Sequence, residues 1–208
     1  MRLYNSNEMA RIGCHGCEGC SKCCKNMGQS IVLNPYDIYN LSNNMGLSFE
    51  ELLCGPVELT SEAGIVQPCI KMIDSAEGSK CGFLDSNGRC SIHSFRPGIC
   101  RLFPLGRDYS DGNIRYFILE DECPAGSKTK EKIGAWLGFS SDSELRKYEE
   151  FLGKWHSYIS DKRKEIYAAG EGAQAKAKEI GAMLLNRFYI PAYECEDFYL
   201  EIYRRMEL

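Results

Sequence analysis

The sequence predicts an α+β fold in which a small cysteine-rich domain, with short helices and a β-hairpin, is followed by a helical C-terminal region. Three observations support this fold class. Eleven of the twelve cysteines lie between residues 14 and 123, residues 99–119 have a hairpin pattern, and apolar residues recur at helical spacing after Ser141. We therefore expect a cysteine-rich domain over residues 1–126 and a helical region over residues 127–208 that packs on it.

The domain begins with a glycine-rich loop over residues 13–24. A glycine precedes each of the first three cysteines in this loop, and glycine lets a backbone turn tightly and bring its N–H groups close to a bound group. The loop is expected to enter a short helix at Ser21. The apolar residues 31–33 then predict a short strand.

Two helices with capping signals follow. Asn34-Pro35 is typical of a helix start, and we expect this helix to run to about Asn44 and to stop at Gly46. The segment 48–51 begins with serine and ends with glutamate. This is the spacing of a capping box, and it predicts a second short helix.

A β-hairpin is predicted in the second half of the domain. Its arms are residues 99–105 and 114–119, and Asp111-Gly112 has the chemistry of the connecting turn. Pro104 has no N–H to donate to a neighbouring strand, so the first arm is expected to be an edge strand or to contain a bulge.

Three helices are expected in the C-terminal region. The first begins at Ser141, a second spans about Ala173 to Phe188, and a third spans Glu194 to Met206, after a break at Ile190-Pro191. The residues that recur at spacings of three and four in the first helix are Leu145, Tyr148, Phe151, Leu152, Trp155, Tyr158 and Ile159.

Composition restricts the compartment and the partners. The chain has 25 Lys and Arg against 29 Asp and Glu, a net charge of -4, and no basic run, so no nucleic-acid partner is expected. The first seven residues have no apolar core, and the longest wholly apolar runs are too short to cross a bilayer. We therefore expect a cytoplasmic protein with no membrane contact, in which clustered, reduced thiols favour metal ligation over disulfides.

The first chemical motif packs five cysteines into the eleven residues 14–24. CxxC spacing lets two thiolates converge on one metal or cluster without strain. This predicts metal ligation rather than buried thiols or a redox disulfide. Adjacent side chains are expected to point in different directions, so Cys23 and Cys24 would serve different metal atoms, which favours two sites or a multinuclear cluster over a single zinc. The candidate ligands here are Cys14, Cys17, Cys20, Cys23 and Cys24.

A second motif runs from Cys81 to Cys123. It reads Cys-Gly-Phe-Leu, Cys-Ser-Ile-His, Arg-Pro-Gly-Ile-Cys-Arg-Leu-Phe-Pro and finally Cys-Pro. The first three cysteines lie nine and ten residues apart, so they must come together through folding. Residues 85–88 have turn composition and are expected to bring Cys81 and Cys90 together.

Cationic side chains flank Cys100 in this motif. The guanidinium groups of Arg96 and Arg101 would hydrogen-bond anionic thiolates and sulfides, or alternatively bind a substrate anion. His93 is a candidate ligand, or a hydrogen-bond donor to the bound group. We group these three residues as candidate cofactor-binding residues.

The remaining cysteines are Cys54, Cys69 and Cys195. Cys69 follows Pro68 and precedes the second motif, so it is a further candidate ligand; a buried thiol is the alternative. Cys54 is expected in the core. Cys195 lies on a terminal helix pattern and is expected to be structural.

The two motifs, in this order, resemble the YkgJ-like cysteine-cluster family, whose CxxCxxCC domain is described as zinc- or iron-chelating. The resemblance covers roughly residues 14–126 and implies metal or iron–sulfur binding. One branch, known as flagellin lysine N-methylase, implies a link to protein methylation. Here Cys14 extends the family's first motif, and His93 stands where the family often has tyrosine. The ligands implied by the resemblance are Cys17, Cys20, Cys23, Cys24, Cys81, Cys90, Cys100 and Cys123.

Many thiolates with scarcely any histidine favour one or two [4Fe–4S] iron–sulfur clusters, with zinc as the alternative. Three functions remain open. The first is an iron–sulfur protein with two cysteine-ligated centres that acts in redox chemistry or in cluster-dependent protein modification. The second is a cluster-dependent protein lysine methyltransferase, and the third a zinc-stabilised interaction module without catalysis. An enzyme of this kind would be an iron–sulfur oxidoreductase or a protein N-methyltransferase, acting with a protein substrate or redox partner.

Overall fold

The computed structural model describes most of the chain, and over this part the fold is α+β, as predicted. The chain divides into two compact units, each built from two stretches: residues 1–25 with 84–154 form the first unit, and residues 26–83 with 155–208 form the second. The functional division at residue 126 stays a prediction. The described residues are 1–13, 20–62, 64–76, 78–110, 112–120, 122–124, 128–195 and 197–207.

The described elements include eight short strands and seven α-helices. The strands are β1 (Met9–Gly13), β2 (Val57–Glu62), β3 (Ile65–Ile70), β4 (Met72–Ser75), β5 (Gly78–Cys81), β6 (Leu105–Asp108), β7 (Arg115–Ile118) and β8 (Thr129–Lys132). The helices are α1 (Pro35–Met45), α2 (Phe49–Leu53), α3 (Gly98–Leu102), α4 (Ile133–Trp136), α5 (Asp142–Ala168), α6 (Ala173–Leu184) and α7 (Phe198–Met206). Among the described helices, none has the length and apolar character needed to cross a bilayer.

The first unit is built on two antiparallel strand pairs, β1 with β8 and β6 with β7. Tyr116 on β7 is fully buried, and its hydroxyl donates a hydrogen bond to Glu149 Oε1 at 2.8 Å. Its polar group is thus satisfied inside the core. The buried core residues are Ala10, Ile12, Leu102, Leu105, Tyr116, Ile133, Leu137 and Leu145.

The second unit has a core of its own. The hairpin β2–β3 packs against α6, and a side chain at Gly181 would place its Cβ 3.2 Å from the Val66 Cβ. After α6, a π-helical turn carries the buried Tyr189, whose hydroxyl donates to the Leu33 carbonyl at 3.1 Å. The second hairpin of this unit is β4–β5.

The two capped helices are confirmed almost to the residue. The Asn34 side chain accepts a hydrogen bond from the Asp37 N–H at the start of α1, and Gly46 ends the helix with a φ of 67°. Only a residue without a Cβ adopts this left-handed conformation readily. Ser48 and Glu51 form the predicted capping box of α2.

The predicted hairpin is present as β6–β7, but its first strand is displaced and shares only Leu105 with the predicted arm 99–105. Asp111 of the predicted turn lies outside the described residues. Residues 98–102 form α3 instead of strand, because the segment after Pro97 begins a helical turn in which the Arg101 N–H donates to the Pro97 carbonyl. The strand predicted at residues 31–33 is reduced to a single bridge between Val32 and Cys69.

The three C-terminal helices are confirmed as α5, α6 and α7. The second continues beyond α6 as the π-helical turn Leu185–Tyr189. The third begins at Phe198, four residues later than predicted, because Asp197 caps it by accepting hydrogen bonds from the N–H groups of Tyr199 and Leu200. Strands β1 to β5 and β8 were not predicted.

Candidate metal centre

A cavity of about 290 Å³ in the first unit collects cysteines from both sequence motifs. Thiols, guanidinium groups and an imidazole share its wall. Cys20, Cys23 and Cys24 come from the first motif, and Cys90 comes from the second. The lining residues are Cys20, Cys23, Cys24, Leu84, Gly88, Arg89, Cys90, His93 and Arg96.

A single 3-10 turn, Lys22–Cys24, presents the two adjacent cysteines. The Cys24 N–H donates to the Ser21 carbonyl at 2.9 Å, which closes the turn. Both thiols are half-buried, whereas Cys20 is exposed just before the turn. The short helix expected at Ser21 is thus present as a 3-10 turn.

A tight loop organised by Asp85 presents Cys90. The Asp85 carboxylate accepts hydrogen bonds from the N–H groups of Asn87 and Arg89 at 2.9 and 2.8 Å. Gly88 has a φ of 72°, and Leu84 pairs with Cys90 as an antiparallel bridge. The turn predicted at residues 85–88 is therefore confirmed, and it directs Leu84, Gly88, Arg89 and Cys90 to the cavity. That this turn brings Cys81 to Cys90 stays a prediction.

The Cys23 thiol is acidic in this setting. Its hydrogen bond with Cys24 is the main cause that lowers the pKa of Cys23, to about 6; burial opposes this effect and the charge of Arg96 adds to it. Cys23 is therefore largely a thiolate at neutral pH, which is the form that binds metals.

Two other groups at the cavity have shifted pKa values. Burial raises the pKa of Cys90, although the Ile92 N–H and the charge of Arg96 act in the opposite direction. Burial lowers the pKa of His93, and the charges of Arg96 and Arg89 lower it further. His93 is therefore neutral at pH 7 and can offer a ring nitrogen as a ligand or acceptor.

The spacing of the adjacent sulfurs corrects one expectation. The Sγ atoms of Cys23 and Cys24 lie 4.0 Å apart. This is close to the separation of roughly 3.8 Å between two thiolates on one tetrahedral zinc with bonds of about 2.3 Å. The expectation that the two side chains diverge too far to share a metal is wrong, because the chain is not extended at this point and the sulfurs of the 3-10 turn stay close together. Their adjacency no longer favours two sites over one.

The candidate cationic residues have different surroundings. Arg96 lines the cavity, as predicted for a cofactor-binding residue, and so does Arg89, which was not predicted although it directly precedes Cys90. The Arg101 guanidinium instead lies over the rings of Phe139 and Tyr148, at 4.8 and 5.4 Å from their centroids. These cation–π contacts tie α3 to the aromatic residues. The role of Arg101 in cofactor binding stays a prediction.

Two other predicted ligands of the first unit, Cys100 and Cys123, lie away from the cavity lining. Cys100 is half-buried on α3, and Cys123 is 9% exposed beyond β7. Neither is among the described residues that line the cavity. Cys14 and Cys17 lie outside the described residues.

The second unit holds the remaining cysteines. Cys69 is buried on β3 and donates to Glu58 Oε1 at 4.0 Å; burial, and then the Glu58 charge, raise its pKa to about 11. This setting favours the buried thiol that the sequence left open. Cys81 ends β5 and Cys195 is half-buried. The expectation of a core position for Cys54 is wrong: it is exposed, because it caps the short helix α2.

Among the described residues, no three Cys, His, Asp or Glu side chains are already arranged to hold a metal ion. The complete ligand set therefore stays a prediction. The donor chemistry nevertheless fits zinc or iron, because thiolate is the ligand that both zinc and iron–sulfur clusters favour. Cys20, Cys23, Cys24 and Cys90 are the described residues that would hold the metal at the cavity.

Comparison with known families assigns this site to a class. A model of the CxxCxxCC family, described as a putative zinc- or iron-chelating domain, matches residues 16–124, a little over half of the chain. The chain belongs to the CxxCxxCC family. This CxxCxxCC domain confirms the resemblance seen in the sequence, and it includes the cysteines from Cys17 to Cys123. No curated protein and no solved structure matches the chain.

Proposed function

We propose that the protein is an iron–sulfur protein that acts in redox chemistry or in cluster-dependent modification of another protein. The observation that carries this proposal is the cavity in which four thiols from distant motifs meet two guanidinium groups. Its volume of about 290 Å³ equals roughly ten water molecules. A multinuclear centre suits such a space better than a single ion does.

The residues at the cavity have separate roles in this proposal. Cys20, Cys23, Cys24 and Cys90 supply thiolates, and the lowered pKa of Cys23 makes this thiol ready to release its proton to a binding metal at neutral pH. Arg96 and Arg89 place positive charge near thiolates and sulfides, which carry negative charge. A bound iron–sulfur cluster would supply a one-electron couple.

Zinc chelation is the second candidate function. The observation that favours it is the 4.0 Å separation of the Cys23 and Cys24 sulfurs, which is close to that of two thiolates on one tetrahedral ion. In this case the domain would be a zinc-stabilised interaction module, and its metal would contribute folding energy rather than electrons.

Metal and sulfide analysis after oxygen-free purification distinguishes the two candidates. We expect iron and acid-labile sulfide in near-equal amounts, with the brown colour of thiolate-to-iron charge transfer. We expect Cys20→Ser or Cys100→Ser to lower the iron content. Cys54→Ser is the matched control, because Cys54 is exposed and in the second unit. Stoichiometric zinc without sulfide would overturn the iron–sulfur assignment.

Methylation, which the flagellin lysine N-methylase branch implies, needs a separate test. Isothermal titration of the oxygen-free protein with S-adenosylmethionine measures whether the methyl donor binds. Saturable binding that is lost together with the iron would direct the proposal towards a protein lysine methyltransferase. Iron and sulfide without such binding would support the redox role.

A further inference from the structure

The second unit contains a cavity of its own, with a volume of about 200 Å³. It is lined by residues of α1, of the start of α2, and of the π-helical turn and the segment after it. Four lining residues are aromatic: Tyr39 pairs with Tyr193 and Phe49 with Tyr189, with ring centroids 5.8 Å apart in each pair. We call it the aromatic cavity. An apolar cavity of about 150 Å³ can hold benzene, so the aromatic cavity has room for a single substituted ring.

Two of the four rings have hydroxyl groups that are engaged by the backbone. The Tyr189 hydroxyl donates a hydrogen bond to the Leu33 carbonyl at 3.1 Å, and the Tyr193 hydroxyl donates to the Phe188 carbonyl at 2.9 Å. These hydroxyl hydrogens are therefore satisfied within the protein. Both tyrosines offer mainly aromatic surface to a molecule in the cavity.

The mouth of the aromatic cavity is held in place by Arg205 on α7. We define the mouth by three exposed lining residues that are consecutive in the chain, at positions 190–192. Arg205 Nη1 donates to the Pro191 carbonyl at 2.9 Å, and Nη2 donates to the Ala192 carbonyl. The same guanidinium lies 3.9 Å from the centroid of the Tyr193 ring. A ligand would therefore meet a mouth that is already ordered, which favours binding.

The π-helical turn Leu185–Tyr189 leads directly into this mouth. The Ile190 N–H donates to the Leu185 carbonyl, five residues earlier, at 2.9 Å. Turns of this kind are rare and are frequent at functional sites. Ile190 is 41% exposed although it is apolar. An apolar ligand at the mouth would remove part of this surface from water, which is favourable.

The polar groups of the aromatic cavity are neutral. Among the described residues that line it, there is no Asp, Glu, Lys or Arg, so the desolvation of a charged ligand would not be compensated. Tyr39, Ser42 and Asn43, all on α1, supply hydroxyl and amide groups. Their side chains make no hydrogen bond with any other residue that the structure describes. They can therefore donate to or accept from a ligand.

We propose that the aromatic cavity binds a small, uncharged aromatic molecule that carries one hydrogen-bonding group, as a phenol does. The ring of such a molecule would pack against the four aromatic side chains, and its polar group would pair with the neutral groups of α1. The volume of about 200 Å³ is below the roughly 300–1,000 Å³ of pockets for drug-sized ligands, which excludes a nucleotide or a long acyl chain. This site is independent of the metal centre, since none of its lining residues is a cysteine or histidine.

The test measures the binding of phenol to the full-length protein by saturation-transfer NMR. We expect saturable binding with a dissociation constant on the order of 1 mM, as for an efficient ligand of this size. Cyclohexanol has the same hydroxyl without an aromatic ring, and benzoate has the ring with a negative charge. Each should bind about tenfold more weakly than phenol or not at all.

Two variants locate the binding site. Ala192→Phe places a large side chain at the mouth and should weaken phenol binding by about tenfold or more. Tyr39→Phe keeps the ring and removes its hydroxyl, and it should weaken binding about threefold. The matched control is Ala175→Phe, which introduces the same side chain at an exposed position of α6 outside the cavity lining and should bind like the wild type. Thermal unfolding verifies that each variant is folded.

Each outcome decides the proposal. Saturable binding that prefers phenol and is lost in Ala192→Phe but not in Ala175→Phe would support it. It would be overturned by a lack of saturable phenol binding, by equal binding of the three probes, or by wild-type affinity in both cavity variants. Binding of N-acetyltyrosinamide more tightly than phenol would also overturn it, because the cavity would then receive a tyrosine side chain of a partner protein instead of a free small molecule.

Discussion

Asp85 positions Cys90, a predicted metal ligand, through the hydrogen bonds that its carboxylate accepts from backbone N–H groups. Its two hydrogen bonds, to Asn87 and Arg89, close the loop that pairs Leu84 with Cys90. An aspartate at the start of such a turn replaces a backbone acceptor. The geometry of the Cys90 thiol therefore depends on a side chain outside the predicted ligand set.

Replacing Asp85 tests this dependence. Asp85→Ala leaves two N–H groups without their acceptor, and we expect a loss of stability of about 1 kcal/mol and faster release of bound metal to a chelator. Asp85→Asn keeps the accepting oxygen and should behave nearly like the wild type. Urea unfolding and the rate of metal release measure the two effects. Equal release rates in wild type and Asp85→Ala would show that the loop does not position Cys90.

Cys69 is either a buried thiol or a metal ligand, and its chemical reactivity distinguishes the two. With a pKa raised to about 11, roughly one thiol in a thousand is ionised at pH 8. We expect iodoacetamide to leave Cys69 unmodified in the folded protein, both with metal and after chelation, while exposed Cys54 reacts fully. Peptide mass spectrometry measures both sites. Modification of Cys69 only after chelation would identify it as a metal ligand.

The same raised pKa has a consequence for stability. The fold favours the protonated Cys69 thiol, so its contribution is intact below the ordinary thiol pKa of 9.0 and is lost as the pH rises towards 11. The stability of a Cys69→Ala variant should therefore depend less on pH between these values than that of the wild type.

At the scale of elements, replacing two helical glycines by alanine should change the stability of the protein in opposite directions. A Cβ at Gly181 on α6 would lie 3.2 Å from Val66 Cβ, whereas a Cβ at Gly153 on α5 would meet no atom within 4 Å. We expect Gly181→Ala to destabilise by about 1–3 kcal/mol through overpacking. Gly153→Ala should stabilise by up to about 1 kcal/mol through helix propensity. Thermal unfolding measures both, and a stabilised Gly181→Ala would refute the close packing of α6 on β3.

Local signals explain which elements the sequence could predict. The capping residues of α1 and α2 and the helical spacing in α5 act within a few residues, so they are readable from the chain alone. The pair β1–β8 joins residues 9–13 to residues 129–132, and no local pattern contains that pairing. β3 contains Pro68, which lowers the expectation of a strand; its carbonyl nevertheless accepts the Leu33 N–H at 2.8 Å.

The features of the candidate site that depend on local sequence could also be predicted, and those that depend on tertiary packing could not. CxxC spacing predicts that Cys20 and Cys23 act together, and turn composition predicts the loop before Cys90. Tertiary packing sets the directions of the arginine side chains. Arg89 lines the cavity, whereas Arg101 lies over the rings of Phe139 and Tyr148. The direction of the adjacent cysteines was misjudged because a 3-10 turn, rather than an extended chain, carries them.

At the scale of the whole molecule, the cysteines of the family motif are shared between two units that each have a core. The first unit contains the cavity and the buried cluster around Tyr116. The second unit contains the β2–β3 hairpin packed on α6. Metal binding contributes folding energy where its ligands are, so the loss of metal should affect the two units unequally.

Hydrogen exchange after metal removal tests this inequality. We expect chelation to accelerate amide exchange in residues 20–25 and 84–96, because the thiols at the cavity lose the centre that holds them together. Exchange in β3 and α6 should change little, since their protection comes from apolar packing around Val66 and Gly181. Mass spectrometry of peptides from both units measures the effect, and reloading the metal should restore slow exchange in the first unit. Equal acceleration in both units would contradict the expectation that the metal stabilises the first unit selectively.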